Sequence, residues 1–344
     1  MVHVEAMAKA GLAHLATYGD TLLSSAATVA RRSEASTSIL QPLVPGVNLP
    51  LWHAPYLLLA AAIATVVHEA GHALAAAADG EMRVVGVGGF LALFLPGAYV
   101  RIEGVDDAGR WRALKVWCAG AWHNIVAAVV AAAATLALPL LLAPVYSTSG
   151  GALVVGVPQS SALAGHLHSG DVIVGLGRHP VTGVADLARA IGSITAGEDS
   201  SGFCLMDIAV VSPAAGGARR HLFFQGPPLI LSRSVALSPY TPRLASFLAP
   251  LAPAAYAAAA AADGPLLLDV TLRYLVSLSL ALAVVNMAPV ARLDGEAAWA
   301  LFLGGILRGA RAGTLRRVQG GVVAAGTALL VANIGVAALS LAPA

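Results

Sequence analysis

The run His68-Glu69-Ala70-Gly71-His72 places two histidines and a glutamate in an H-E-x-x-H pattern inside an apolar stretch. On a helix, positions i and i+4 share a face, so both imidazoles can reach one zinc ion while Glu69 stands beside them to take a proton from bound water. Chance supplies the pattern in about 0.6% of shuffled chains of this composition. The plainer reading, two core histidines and a buried carboxylate, is disfavoured because three bare ionisable groups in an apolar segment cost on the order of several kcal/mol. A catalytic zinc needs a third protein ligand and an open position for water. Asp294 is the best-placed acid, in Asn286-Met287-Ala288-Pro289-Val290-Ala291-Arg292-Leu293-Asp294-Gly295. There Pro289 is expected to end a helix, and Gly295 to loosen the chain so that the aspartate turns back. Taken alone, an aspartate at a helix end is more often an ordinary cap.

The elements that must carry these groups are membrane helices. Of 344 residues, 58% are hydrophobic and only 11% charged, against about 25% charged in an average soluble domain. Mean hydropathy is +0.78. A formal charge of +2 offers no basic face, so nucleic acid is not an expected partner. Two cysteines, Cys118 and Cys204, make neither a disulfide framework nor a cysteine zinc cluster. Runs at 54–78, 113–143, 274–290 and 321–341 are long and apolar enough to approach the roughly 20 residues that a bilayer demands. A fifth run, Val84 to Val100, carries Gly86, Gly88, Gly89, Pro96 and Gly97 and predicts re-entrant or hairpin-like backbone. Residues 299–307 are too short to span and predict an interfacial segment.

Between the second and third spans the pattern changes to short alternating runs such as Asp171-Val172-Ile173-Val174, broken by glycine and proline. The expected organisation is an N-terminal segment at 1–50, where a targeting role is weakened by Glu5, Asp20 and Glu34; a first membrane half at 51–149; a β-rich soluble domain at 150–232; a linker at 233–269; and a second membrane half at 270–344. Arg101, Arg110, Arg112 and Lys115 precede the second span, and Arg292, Arg308, Arg311, Arg316 and Arg317 lie between the last two. Both loops are therefore expected in the cytosol and the soluble domain in the lumen.

H-E-x-x-H in one span with N-x-x-P-x-x-x-L-D-G near a later one resembles the signature pair of the site-2 protease family of intramembrane zinc metalloproteases. Leu95-Pro96-Gly97-Ala98-Tyr99-Val100 and Cys118-Ala119-Gly120-Ala121-Trp122-His123-Asn124 look like its eukaryotic branch, the membrane-bound transcription factor site-2 proteases. The resemblance implies an α-helical polytopic membrane protein with an inserted α+β PDZ-like soluble domain. It implies Zn2+ held by His68, His72 and Asp294, Glu69 as general base, and Asn286 and Asn124 near the substrate or its oxyanion. Bottom-up, Asn124 is a polar amide deep in an apolar helix, open equally to a purely interhelical hydrogen bond, and Gly120 before it allows close helix approach. The Ser161-Ala162-Leu163 and His168-Ser169-Gly170-Asp171 segments are similar to a PDZ module, which binds extended chains at a sheet edge. Implied partners are single-pass transmembrane precursors of transcription factors and membrane lipid, in the Golgi or ER and less expectedly a plastid membrane. The cysteine-rich insertion of the animal members has no counterpart, and no run in the first 50 residues is long enough to span. The rival readings are a non-catalytic membrane protein that holds clients through the PDZ-like domain, and a metal transporter. The transporter would require polar residues spread through several spans.

Overall fold

The computed structural model describes residues 51–92, 95–196, 204–226, 234–243, 264–307 and 309–341, with a few further positions between them. Expectations for residues 1–44, and most of those for the alanine- and proline-rich run at 248–262, fall outside the described residues. The chain divides into two compact units, Met1–Leu136 with Val270–Ala344, and Ala137–Asp269.

In the first unit, a short 3-10 turn at Leu51–His53 leads into helix α1, Ala54–Asp79. Pro55 sits where its missing N–H costs nothing, and Gly80, at φ 82°, closes the far end in the left-handed conformation. Strands β1 (Arg83–Ala92) and β2 (Leu95–Glu103) then form a two-stranded antiparallel hairpin, as the glycine-interrupted run predicts. Its glycines are seats for aromatic rings. Gly88 pairs with Tyr99 and Gly97 with Phe90, and in each pair the ring lies where a Cβ would stand. Helix α2, Arg110–Leu142, follows. Its Arg112 donates to Asp79 at 2.8 Å and to Glu81 at 2.7 Å, fastening the start of α2 to the end of α1.

The second unit is built on an antiparallel sheet: β3 (Tyr146–Ser147), β4 (Ala152–Gly156), β5 (Val172–Leu176), β6 (His179–Pro180), helix α3 (Val184–Ala196), β7 (Cys204–Ser212), β8 (Ala218–Gly226), β9 (Ala236–Ser238) and β10 (Thr241–Pro242). Five strands run in the order β8-β7-β5-β4-β9, with β6 beside β5, while β10 pairs separately with β3. Large aliphatics fill its core, among them Leu163, Ile173, Leu176, Leu187, Ile208 and Val210. The expected linker at 233–269 needs correction. Leu237 pairs with Val154 and Ser238 with Leu153, so the sheet draws on residues beyond 232. A three-residue strand is too short for alternation to reveal.

The chain returns to the first unit in α4, Gly264–Met287, which starts at Gly264 rather than 274 and stops two residues before Pro289. Helix α5, Asp294–Ile306, takes in most of the expected interfacial segment, and α6, Ala312–Leu341, begins well before the apolar run at 321. Helices α1, α2, α4 and α6 are each long and apolar enough to cross a membrane.

Candidate metal centre

His68 and His72 are both buried on α1, and each turns Nε2 to the same point. The two Nε2 atoms are 3.2 Å apart. Asp294 Oδ2 lies 2.8 Å from His68 Nε2 and 3.1 Å from His72 Nε2. Three donors about 2.0–2.1 Å from a tetrahedral zinc are separated by about 3.3 Å, so this triangle is close to the size that the ion requires. The donor chemistry, two imidazoles and one carboxylate, is also that of catalytic zinc sites. Among the described residues, His68, His72 and Asp294 are the set of potential ligands that converges in this way.

Two close helix approaches make room for the rings. A Cβ on Gly120 of α2 would lie 2.5 Å from His72 Nε2 and 2.6 Å from His68 Nε2. One on Gly71 of α1 would meet the Ala119 carbonyl oxygen at 2.7 Å. His123 does not join the donors; its Nδ1 lies 2.8 Å from the Ala119 carbonyl oxygen, one turn back on its own helix.

Asp294 arrives from a tight reversal. Arg292 adopts φ 68°, left-handed backbone that a non-glycine residue takes only under constraint. Its N–H donates to Glu296 at 2.7 Å, Trp299 donates to the Met287 carbonyl oxygen at 3.0 Å, and Ala291 N–H donates to Thr327 of α6 at 3.0 Å. Gly295 does not loosen the chain, as its sequence context suggests. It lies in the first turn of α5, where a Cβ would fall 1.9 Å from the Ala288 carbonyl oxygen. Glycine here is a spacer that lets the α5 turn press against the end of α4.

Glu69 accepts a hydrogen bond from the Val100 N–H at 2.9 Å. Pro96, Ala98 and Val100 share one side of β2 by strand alternation, and Pro96 has no N–H to give to a partner strand. This is the edge of β2 away from β1, and the glutamate is docked on it.

The two asparagines separate. Asn286 Nδ2 lies 3.2 Å from His68 Nε2, on the side of the converging donors. Asn124, fully buried, lies 3.2 Å from His68 Nδ1, the opposite side of the ring. That position sets the His68 imidazole between Asn124 and Asp294. The Val100 N–H, the Val116 carbonyl oxygen, which lies 2.7 Å from His72 Nδ1, and the spacer role of Gly295 escaped sequence reasoning. Backbone donors carry no residue signature, and a spacer is recognisable only once its neighbour is known.

A family model described as Peptidase family M50 matches residues 56–333. A relative from Arabidopsis thaliana, described as a membrane-bound transcription factor site-2 protease homolog, is 37% identical over 147 residues. That alignment covers 42% of this chain and 28% of the relative, so the chain matches little more than a quarter of the curated protein's length. With four helices among the described residues long and apolar enough to cross a membrane, the family match makes this an integral, multi-pass membrane protein.

Proposed function

The chain belongs to peptidase family M50, and from that membership we propose that it is an intramembrane zinc metalloendopeptidase of the site-2 type, cleaving transmembrane helices of membrane-anchored precursors. The observation that carries the proposal is the convergence of His68, His72 and Asp294 within about 3 Å of one another, on helices separated by most of the chain. Zinc held by these three residues would lower the pKa of a bound water and polarise the scissile carbonyl. Glu69 accepts the proton of the attacking water and passes it to the amide nitrogen as the C–N bond breaks. Asn286, beside the donors, offers an amide N–H to the oxygen on which charge develops. Because a helical peptide bond is shielded by its own hydrogen bonds, the substrate must unwind locally before attack.

The sheet-containing unit fits a PDZ-like docking module that would engage or exclude the lumenal end of a client. The expected products are transcription factor domains freed into the cytosol after an earlier lumenal cut, with the Golgi or ER membrane as the site. Zinc content and cleavage of a model transmembrane substrate test the reading. Glu69→Gln should keep its zinc and lose cleavage, and Asp294→Ala should lose both. Turnover above a few per cent in Glu69→Gln would remove Glu69 from the mechanism. Full zinc in Asp294→Ala would remove the aspartate from the ligand set.

A further inference from the structure

A neutral imidazole carries one ring proton, so a histidine that offers Nε2 to a metal keeps the proton on Nδ1, and a buried Nδ1–H needs an acceptor. His72 has one: the Val116 carbonyl oxygen lies 2.7 Å from its Nδ1. For His68 the group at that place is the side-chain amide of Asn124, 3.2 Å from Nδ1 and 0% exposed. With the amide nitrogen toward the ring, Asn124 Oδ1 is buried without a hydrogen-bond partner. The two ends of an amide are nearly equal in shape, and their assignment follows from the hydrogen bonds they can make. Turned about, the oxygen accepts the Nδ1–H, and the amide nitrogen takes the place where the oxygen had no partner.

We propose that Asn124 is a positioning residue of the metal centre: its side-chain oxygen accepts the Nδ1–H of His68, fixing the tautomer and ring plane that present Nε2 to the ion. The proposal rests on the metalloprotease reading for the identity of the ion. It gives one face of α2 a single task, since Val116, Gly120 and Asn124 recur every fourth residue. In order they supply an acceptor for His72, an empty notch for both rings and an acceptor for His68. A backbone carbonyl serves one histidine and a side chain the other, so only the second is open to substitution.

The test uses this whole chain in detergent, stripped of metal and titrated with zinc against a chromophoric chelator. Asn124→Leu removes the acceptor at similar volume and should weaken zinc binding about 10–100-fold, and should shift the visible bands of the cobalt-loaded protein. Asn124→Asp restores an acceptor at the same place and should bring the affinity back toward that of the wild type, which a merely packing role for Asn124 would not do. Should leucine prevent folding, Asn124→Ala takes its place with the same expected loss. Zinc affinity in the leucine or alanine variant equal to wild type, or an aspartate variant no better than them, would overturn the proposal. Failure of the wild type itself to take up zinc is a different result, and it would overturn the metalloprotease reading.

Discussion

The two units of this chain are packed inside out with respect to each other. In the sheet-containing unit the fully buried side chains are large: Leu153, Leu163, Ile173, Leu176, Leu187 and Ile208. In the helical unit many of the buried apolar positions are alanines, among them Ala60, Ala64, Ala76, Ala119, Ala128 and Ala131, while Leu59, Val66, Leu74, Val129, Val130 and Leu329 face outward. The contrast follows from the solvent. Water drives large apolar groups inward, because their burial removes the most surface from it. Lipid tails give no such drive, so helices associate by close approach of small residues and leave their bulk to the acyl chains. The candidate metal centre lies in that second regime: Gly71, Gly120 and Gly295 bring three backbones close enough for side chains on different helices to share one point.

Changes of size should therefore act oppositely in the two units. Gly120→Leu should have the largest effect, since it fills the space of both imidazoles; metal analysis of the purified variant should find no retained zinc. Next comes Leu176→Ala, which should cost the sheet-containing unit about 2–5 kcal/mol. Urea unfolding followed by hydrogen exchange over residues 204–226 would register the loss, with zinc content unaffected. Ala64→Leu, an enlargement at a buried helical position, should destabilise the helical unit by about 1–3 kcal/mol, seen as an earlier thermal transition in detergent. Smallest of all, Val129→Ala and Leu329→Ala should change stability by less than about 0.5 kcal/mol. A cost at those two positions comparable to that of Leu176→Ala would mean that the outward faces are packed against something other than lipid, and the contrast would fail.

What the sequence disclosed was whatever is local. The i, i+4 spacing of His68 and His72 requires only a helix, and the glycines between Val84 and Val100 cannot make a good one, so both readings stand in the structure. Pro289 does end a helix, just beyond Met287. The start of α4 was misplaced because Asp269 and Arg273 interrupt the apolar run, although residues four apart are ordinary company on one helix face. Strand β9 was lost in a presumed linker because three residues show no period. The side of His68 on which Asn124 falls, and the surface against which Gly295 presses, depend on the angles between helices, which spacing along one chain does not encode.

His72 and Asp294 are separated by 222 positions, and that interval has a meaning in time. At about 5–20 residues per second, translation of the intervening chain takes about 10–45 s. Throughout it the two histidines are already made while their carboxylate partner is not. A nascent chain in that interval therefore holds two of the three converging donors. The donor set is complete only when the closing segment has been synthesised and has found its place against the opening one, so the wide spacing makes the site one of the last features of the chain to form.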